Sequence, residues 1–422
     1  MINLEPTAKK GLIFIAVLGL VLIVLAIILF RQGDRQLIVK YEKELALAKD
    51  YRMVVDEEDL RKFNPKILDS ENAAIVYMKL SPKMTTLAKV NSLTPSTTST
   101  DSLLTEIRNE VTDADDDLKL LEEAAKLEKF WVDLSFYRGE GSIMVNHSKV
   151  YVGTQFLLAR ALLAKLEGNE SSALKDLRTI SNIAGHFYGS NDEDKFDLAD
   201  EISWMKAEFL AAWAAEKPSG SIWHRELKTL AENYVVPGPR DLATLGLYYD
   251  LAAIESTRSR ESRAKHLGMK DSEESTVSGF DVARYANRGF EASKLKIIEG
   301  WRTVWVEIEK GDYANPGVIR IGDEMISEGL RSNPWLSSFE PIDRIYAPDV
   351  SEFRLRKLAL QVASRILGQE DRTKAPSMAG LQLIRHSTAP TISYHSRVVK
   401  IVCYDSRSRR SDLTLTIPLK NP

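Results

Sequence analysis

The chain has 422 residues, of which 44% are apolar and 28% charged, with a formal net charge of −3; this is the make-up of a folded protein able to bury a sizeable core. So balanced a charge gives no electrostatic reason for a nucleic-acid partner, and none is expected. A single cysteine, Cys403, excludes an internal disulfide framework and a cysteine-rich zinc site.

Residues 1–10 form a short tail in which Lys9 and Lys10 stand against Glu5. Residues 11–30, GLIFIAVLGLVLIVLAIILF, carry no charge. A helix of that length reaches about 30 Å, the thickness of a bilayer's hydrocarbon core, and it satisfies its own backbone hydrogen bonds in lipid. The run therefore predicts a single-pass transmembrane anchor with the lipid bilayer as its partner. A cleaved signal peptide fits less well, because its apolar region is about 7–15 residues long and ends at small residues, whereas this run ends AIILFRQGDR. A pilin-type assembly helix is a further alternative, since KKGLIFIA has the basic residues and glycine of a prepilin leader. Ala16, however, stands where the pilin glutamate is expected. The basic tail favours a cytoplasmic N-terminus with the body outside, in the periplasm. Arg31, Arg35, Lys40, Lys43 and Lys49 argue for the opposite sense.

Residues 31–62 read as a juxtamembrane stalk helix, with Leu37, Tyr41, Leu45 and Ala48 on one face, ending before Asn64-Pro65. A short helix follows over 67–80, capped by Asp69 or Ser70 and carrying Ala74, Tyr77 and Met78. Residues 91–102 form a polar loop. From 103 to 134 a core stripe is expected through Leu120, Ala124, Leu127, Trp131 and Leu134. The acidic cluster TDADDD, 112–117, lacks the offsets, central glycine and terminal glutamate of a calcium loop. It suits the positive end of a helix dipole instead.

Residues 150–187 predict two antiparallel helices joined at Gly168-Asn169. Leu157, Ala161 and Ala164 line the first, and Ala173, Leu177, Ile180, Ala184 and Phe187 the second. The hairpin resembles a tetratricopeptide unit, without a clean second copy at that period. A third helix, 200–217, presents Trp204, Ala207, Ala211 and Ala214. Breaks at 217–220 and 235–241 mark a sub-boundary near 218–240 in a helical domain of residues 63–375. Helices are expected at 242–256, at 280–310 with Trp301 and Trp305 in the core, and at 350–368, and a solvated stretch at 255–278. Residues 376–422 turn to period-two strand patterns, with Val399, Ile401 and Cys403 facing Leu413, Leu415 and Ile417 across a hairpin turned at DSRSRRSD. Arg407, Arg409 and Arg410 fall in that turn, where a solvated loop is expected and contact with anionic lipid or a partner is the alternative.

The segment ELALAKDYRMVVDEEDLRKFNPKILDSENAAIVYMKL, 44–80, resembles a group of uncharacterised, membrane-anchored bacterial proteins of planctomycete-like and armatimonadete-like genomes. There an anchor precedes a helix, a proline and an acidic-Asn-Ala-Ala-x-x-Tyr segment, matched here by Glu71, Asn72, Ala73, Ala74 and Tyr77. The resemblance implies architecture and carries no activity.

The six histidines, at 147, 186, 224, 266, 386 and 395, form no zinc-hydrolase spacing, and no nucleophile elbow, phosphate loop or dinucleotide fingerprint occurs. Glu255, before Ser256, resembles the acid of a lytic transglycosylase, but Arg258 replaces the expected aromatic. Glu140, between glycines, would serve as a general acid only if buried. No catalytic, metal-binding or cofactor-binding residue emerges. The chain reads as mainly α: a transmembrane helix, a helical-hairpin body and a small C-terminal β-hairpin. The expected function is a membrane-anchored interaction or scaffold module meeting a protein or cell-envelope component. A peptidoglycan hydrolase and a pilin-like subunit are the alternatives.

Overall fold

A computed structural model describes residues 6–81, 101–135, 143–189, 193–238, 244–256, 294–303, 305–306, 348–372, 374–379, 390–395, 398–404 and 412–418. The protein is mainly helical, with a small antiparallel sheet. It divides into two compact units. One comprises Met1–Val55, Leu247–Val306 and Ile321–Pro341; the other comprises Asp56–Gly246, Glu307–Arg320 and Ile342–Pro422.

In the first unit, helix α1 runs from Pro6 to Asp50 without interruption, so the uncharged run and the charged segment behind it share one helix. Among the described residues no helix is long and apolar enough to cross a membrane. Within the uncharged run, the side chains of 11–16, 23 and 26–30 lie outside the described set. The helix stops well before the expected 62. Met53 N–H bonds the Ala48 carbonyl at 3.1 Å and Arg52 N–H the Lys49 carbonyl at 2.8 Å, the two bonds of a Schellman cap. Arg52 takes the left-handed conformation that this cap requires, with φ of 61°. The charged half of α1 is also no bare stalk, because Glu44 and Ala48 are buried. Glu44 accepts from Arg302 at 2.7 Å, and Lys40 pairs with Glu299 at 2.6 Å. These partners come from helical residues 294–303. Trp301 and Trp305 are buried as the sequence predicts. The Trp301 indole donates to Asp250 at 2.7 Å, and burial pushes that carboxyl up to about 6.

The second unit opens with α2 (Glu57–Phe63), capped by Asp56, whose side chain accepts from Asp59 N–H. A 3-10 turn at Asp69–Glu71 leads into α3 (Ala73–Tyr77). The cap of α3 is Asn72, in place of Asp69 or Ser70. Helices α4 (Asp101–Asp113) and α5 (Asp115–Ala124) meet at Ala114. Their buried stripe is Ile107, Val111, Ala114, Leu118, Leu121 and Ala124, so Ala124 lies in the core as expected. Leu127, Trp131 and Leu134 do not continue that stripe, because the helix has ended, although Leu134 is buried and Leu127 packs on the core. There the chain pairs with Asn72 instead, through a parallel bridge at Lys129.

The expected hairpin is α6 (His147–Leu166) and α7 (Glu170–Tyr188). Gly168, at φ +79°, makes the turn, and the Asn169 side chain caps α7 by accepting from Ser172 N–H. All eight of the residues proposed to line this hairpin are buried, from Leu157 to Phe187. Helix α8 (Glu193–Ala215) packs on α7 and buries Ala207, Ala211 and Ala214, while Trp204 stays half-buried. Helix α9 (Ile222–Asn233), between the two breaks, has no counterpart in the sequence reading; Ser221 caps it, and it buries Trp223, Leu227 and Ala231. In chain order there follow α10 (Gly246–Ser256) and α11 (294–303), which belong to the first unit from Leu247 on, and α12 (Pro348–Gly368) in the second. Helix α12 packs on α8 and α9.

The C-terminal strands are β1 (Thr391–His395), β2 (Val398–Tyr404) and β3 (Asp412–Pro418), in the order β1-β2-β3, so a three-stranded meander replaces the expected hairpin. The β2–β3 register sets Val399 against Ile417, Ile401 against Leu415 and Cys403 against Leu413. This is the face that the period-two pattern marked. Five of these six side chains are buried against the helices, and burial pushes the Cys403 thiol up to about 12.

Candidate functional site

Helices α7, α8 and α9 line a partly open cavity of about 270 Å³. Each helix contributes the face that its neighbours do not cover: α7 offers Arg178, Ser181 and Gly185, α8 offers Ser203 and Lys206, and α9 offers Glu226 and Leu230. Lys206 is 4% exposed, and its ammonium donates to the Ser181 hydroxyl. Among the described residues no carboxylate pairs with it, since Glu226 lies 3.8 Å from Arg178 instead. Burial lowers the Lys206 ammonium to about 8, with Glu226 opposing that shift and Arg178 adding to it. Around this cation the walls are largely apolar, from Ile180, Ala184, Leu230 and Val235. The Tyr188 hydroxyl donates to Ser203 at 3.3 Å.

One wall is braced from behind. Tyr234, which lines the cavity, donates to Asp200, and Arg356 of α12 pairs with the other oxygen of that carboxylate. Arg356 also binds Glu352 at 2.7 Å and lies 5.5 Å over the Trp204 ring. Lys357 donates to the Tyr234 carbonyl at 2.9 Å. Burial pushes the Asp200 carboxyl up to about 7 against the pull of Arg356 and Tyr234. Asp200 is thus engaged on both oxygens, and its work is to tie α8, α9 and α12 together.

Ser181 and Lys206 have the residue types of a nucleophile and its base. The Ser181 hydroxyl, however, donates to the Leu177 carbonyl at 3.1 Å within α7, and Lys206 is the donor in their contact. Backbone amides around Ser181 are spent within the helix, so they offer no oxyanion donors.

The other candidates fall elsewhere. His186 is a core residue, held by Tyr77 and by the Leu127 carbonyl. His147 lies edge-on to Phe187. His224 accepts from Gly220 N–H at 3.3 Å and donates to the Ser364 carbonyl at 3.0 Å. Asp115, Asp116 and Asp117 occupy the first turn of α5, as the dipole argument expects. There Asp115 and Asp116 pair with Lys119, and Asp117 accepts from Ser81 N–H at 2.7 Å. Among the described residues no group of three His, Cys, Asp or Glu side chains could hold a metal ion. Glu140, His266, His386, Arg407, Arg409 and Arg410 lie outside the described residues, as do the side chains of Glu255 and His395.

The acidic-Asn-Ala-Ala-x-x-Tyr segment turns out to be a fold determinant. Asn72 is fully buried and reaches both sides of Trp131: its amide donates to the Trp131 carbonyl and its oxygen accepts from Trp131 N–H, each at 2.9 Å. Glu71 pairs with Lys129 at the surface. Sequence reasoning missed Lys206 altogether, because a lone lysine between Met205 and Ala207 reads as part of a solvated face. No protein-family model, curated protein or solved structure matches the chain.

Proposed function

We propose that the protein is a membrane-tethered helical binding module, with α1 as its tether and the helical hairpins of the second unit as its recognition body. The observation that carries this reading is the first half of α1. Val17, Leu18, Leu20, Val21, Leu22, Val24 and Leu25 are each about half exposed or more. At about 100° per residue these positions spread over about 200° of the helix circumference, wider than the apolar stripe of an ordinary surface helix. Water is a poor medium for such a surface, and a hydrocarbon layer is a good one. The basic tail supports an extracytoplasmic body. The α6–α7 hairpin serves as the tetratricopeptide-like unit, and membership of the membrane-anchored bacterial group rests on residues 44–80. Stacked helical pairs commonly present recognition surfaces, which supports binding as their role.

The test is membrane extraction of the full chain from bacterial cells. The protein stays in the pellet after alkaline carbonate, and protease added to intact spheroplasts digests the body. Release by carbonate would remove the tether, while a protected body would reverse the orientation.

The envelope-enzyme reading draws its one specific support from the Ser181–Lys206 contact. An active serine there would be labelled by a fluorophosphonate, and Ser181→Ala would abolish the labelling. The bond from Ser181 to the Leu177 carbonyl argues for an unlabelled chain.

A further inference from the structure

We propose that the cavity between α7, α8 and α9 binds a small monocarboxylate through Lys206, whose ammonium Ser181 holds in place, with an apolar body against Ile180, Ala184 and Leu230. The proposal does not depend on the tether. It begins from a buried cation with no carboxylate in contact, Glu226 of the same lining acting on it only through space. Lys206 is 4% exposed, opens onto the cavity, and among the described residues has one hydrogen-bond acceptor, Ser181, and no carboxylate partner. An ammonium has three donors, so two remain for a ligand. A buried charge is retained where something pairs with it, and an incoming carboxylate supplies both the opposite charge and the missing acceptors. Burial has already lowered the Lys206 ammonium to about 8, which leaves it charged at neutral pH and ready to gain from an anion.

Size and charge narrow the ligand further. A cavity of roughly 150 Å³ lined by apolar side chains admits benzene; this one, at about 270 Å³, has room for an aromatic or short aliphatic acid. Glu226 in the lining disfavours a dianion, and Arg178, 3.8 Å from Glu226, keeps its side chain largely in solvent at the rim. A single negative charge with an apolar remainder is what this lining complements.

The experiment uses the full chain in lipid nanodiscs and isothermal titration with benzoate, with benzamide as its uncharged analogue, and with inorganic phosphate. Benzoate binds on the order of tenfold or more tighter than either control, and Lys206→Met removes that preference. A second variant guards against misfolding. Gly185 lines the cavity, and a Cβ built on it meets nothing within 4 Å, so Gly185→Leu fills the space while leaving Lys206 in place. Benzoate binding falls in that variant as well. Equal affinity for benzoate and benzamide, no heat with benzoate, or unchanged benzoate binding by Lys206→Met overturns the proposal. Tighter binding of phosphate than benzoate overturns it too.

Discussion

The Tyr77 hydroxyl donates to His186 Nδ1 at 2.8 Å, while the opposite ring nitrogen of His186 meets the Leu127 carbonyl at 2.7 Å. A carbonyl can only accept, so Nε2 carries the proton and the imidazole is neutral. The pair joins α3 to α7 across 109 residues of sequence, inside a ring cluster with Phe130 and Phe187. Tyr77→Phe keeps the ring packing but leaves a buried acceptor without its donor. Unfolding in urea, followed by tryptophan fluorescence, is expected to show a loss of about 1–3 kcal/mol. A change below about 0.5 kcal/mol, within the range of ordinary surface substitutions, would mean that the hydroxyl contributes nothing.

The same imidazole makes stability depend on pH. Burial lowers its proton affinity below the ordinary value of 6.5. Below that pH the unfolded chain takes up a proton that the folded chain refuses, so folding weakens as pH falls. His186→Gln removes this titration along with some packing. Its stability deficit against the parent is therefore expected to shrink between about pH 7 and pH 5. Parallel stability curves for the two proteins would assign the acid sensitivity to other groups.

Asn72 is the second lock of the same segment. Its oxygen accepts from Ala74 N–H at 3.0 Å and from Trp131 N–H at 2.9 Å, while its amide donates to the Trp131 carbonyl. Asn72→Asp keeps the acceptor but sets a carboxylate against that carbonyl in a fully buried position. A loss of about 2–4 kcal/mol is expected in urea unfolding at neutral pH. Part of it should return at acid pH, where a protonated carboxyl can donate. A stable Asn72→Asp protein at neutral pH would contradict the geometry.

Legibility in the sequence followed how local each signal was. The α6–α7 hairpin could be read because Gly168 and Asn169 sit at the positions that need a positive φ and a cap, and the small residues between them keep helical spacing. Helix α1 could not be bounded, because its Schellman cap uses Arg52 where glycine would have announced the end. The α4–α5 stripe came out shifted, with Leu120 chosen over Leu118 and Leu121, because the pattern was carried past Ala124. Past that end the chain is held by distant partners, Asn182 at the Ala125 carbonyl and Asn72 at Trp131. Lys206 could not be found at all. Whether a helical lysine faces water or a cavity depends on neighbouring helices, and α9 lies between two breaks with no long apolar pattern of its own.

Two glycines test the packing from opposite directions. A Cβ on Gly153 of α6 would come within 2.5 Å of Leu121 Cδ1, whereas one on Gly185 of α7 meets nothing within 4 Å. Leu121 is fully buried and has little room to retreat. Gly153→Ala should therefore cost about 1–3 kcal/mol through overpacking. Gly185→Ala should instead stabilise by about 0.5–1 kcal/mol, because alanine orders the helix more cheaply than glycine. Thermal unfolding of the two variants should shift in opposite directions. Equal shifts would mean that α5 does not press on α6 at Gly153.

Burying Lys206 costs the folded protein stability. Its ammonium is lowered by burial from 10.5 to about 8. Between those values the unfolded chain holds a proton that the folded chain has released, so stability rises with pH across that window, and below pH 8 the whole penalty is present. At about 1.4 kcal/mol per pH unit, the penalty near neutrality is about 3 kcal/mol. Lys206→Met keeps a long unbranched side chain and removes the charge. Thermal unfolding is expected to show the variant more stable than the parent by about 1–3 kcal/mol at pH 7, with the gain shrinking by about pH 10. If the variant is the less stable protein at pH 7, the bond to Ser181 outweighs desolvation and the cavity holds no uncompensated charge. A gain at pH 7 that vanishes in alkali has a different meaning. It shows a position where methionine would fold better, which is the signature of a residue retained for what it binds.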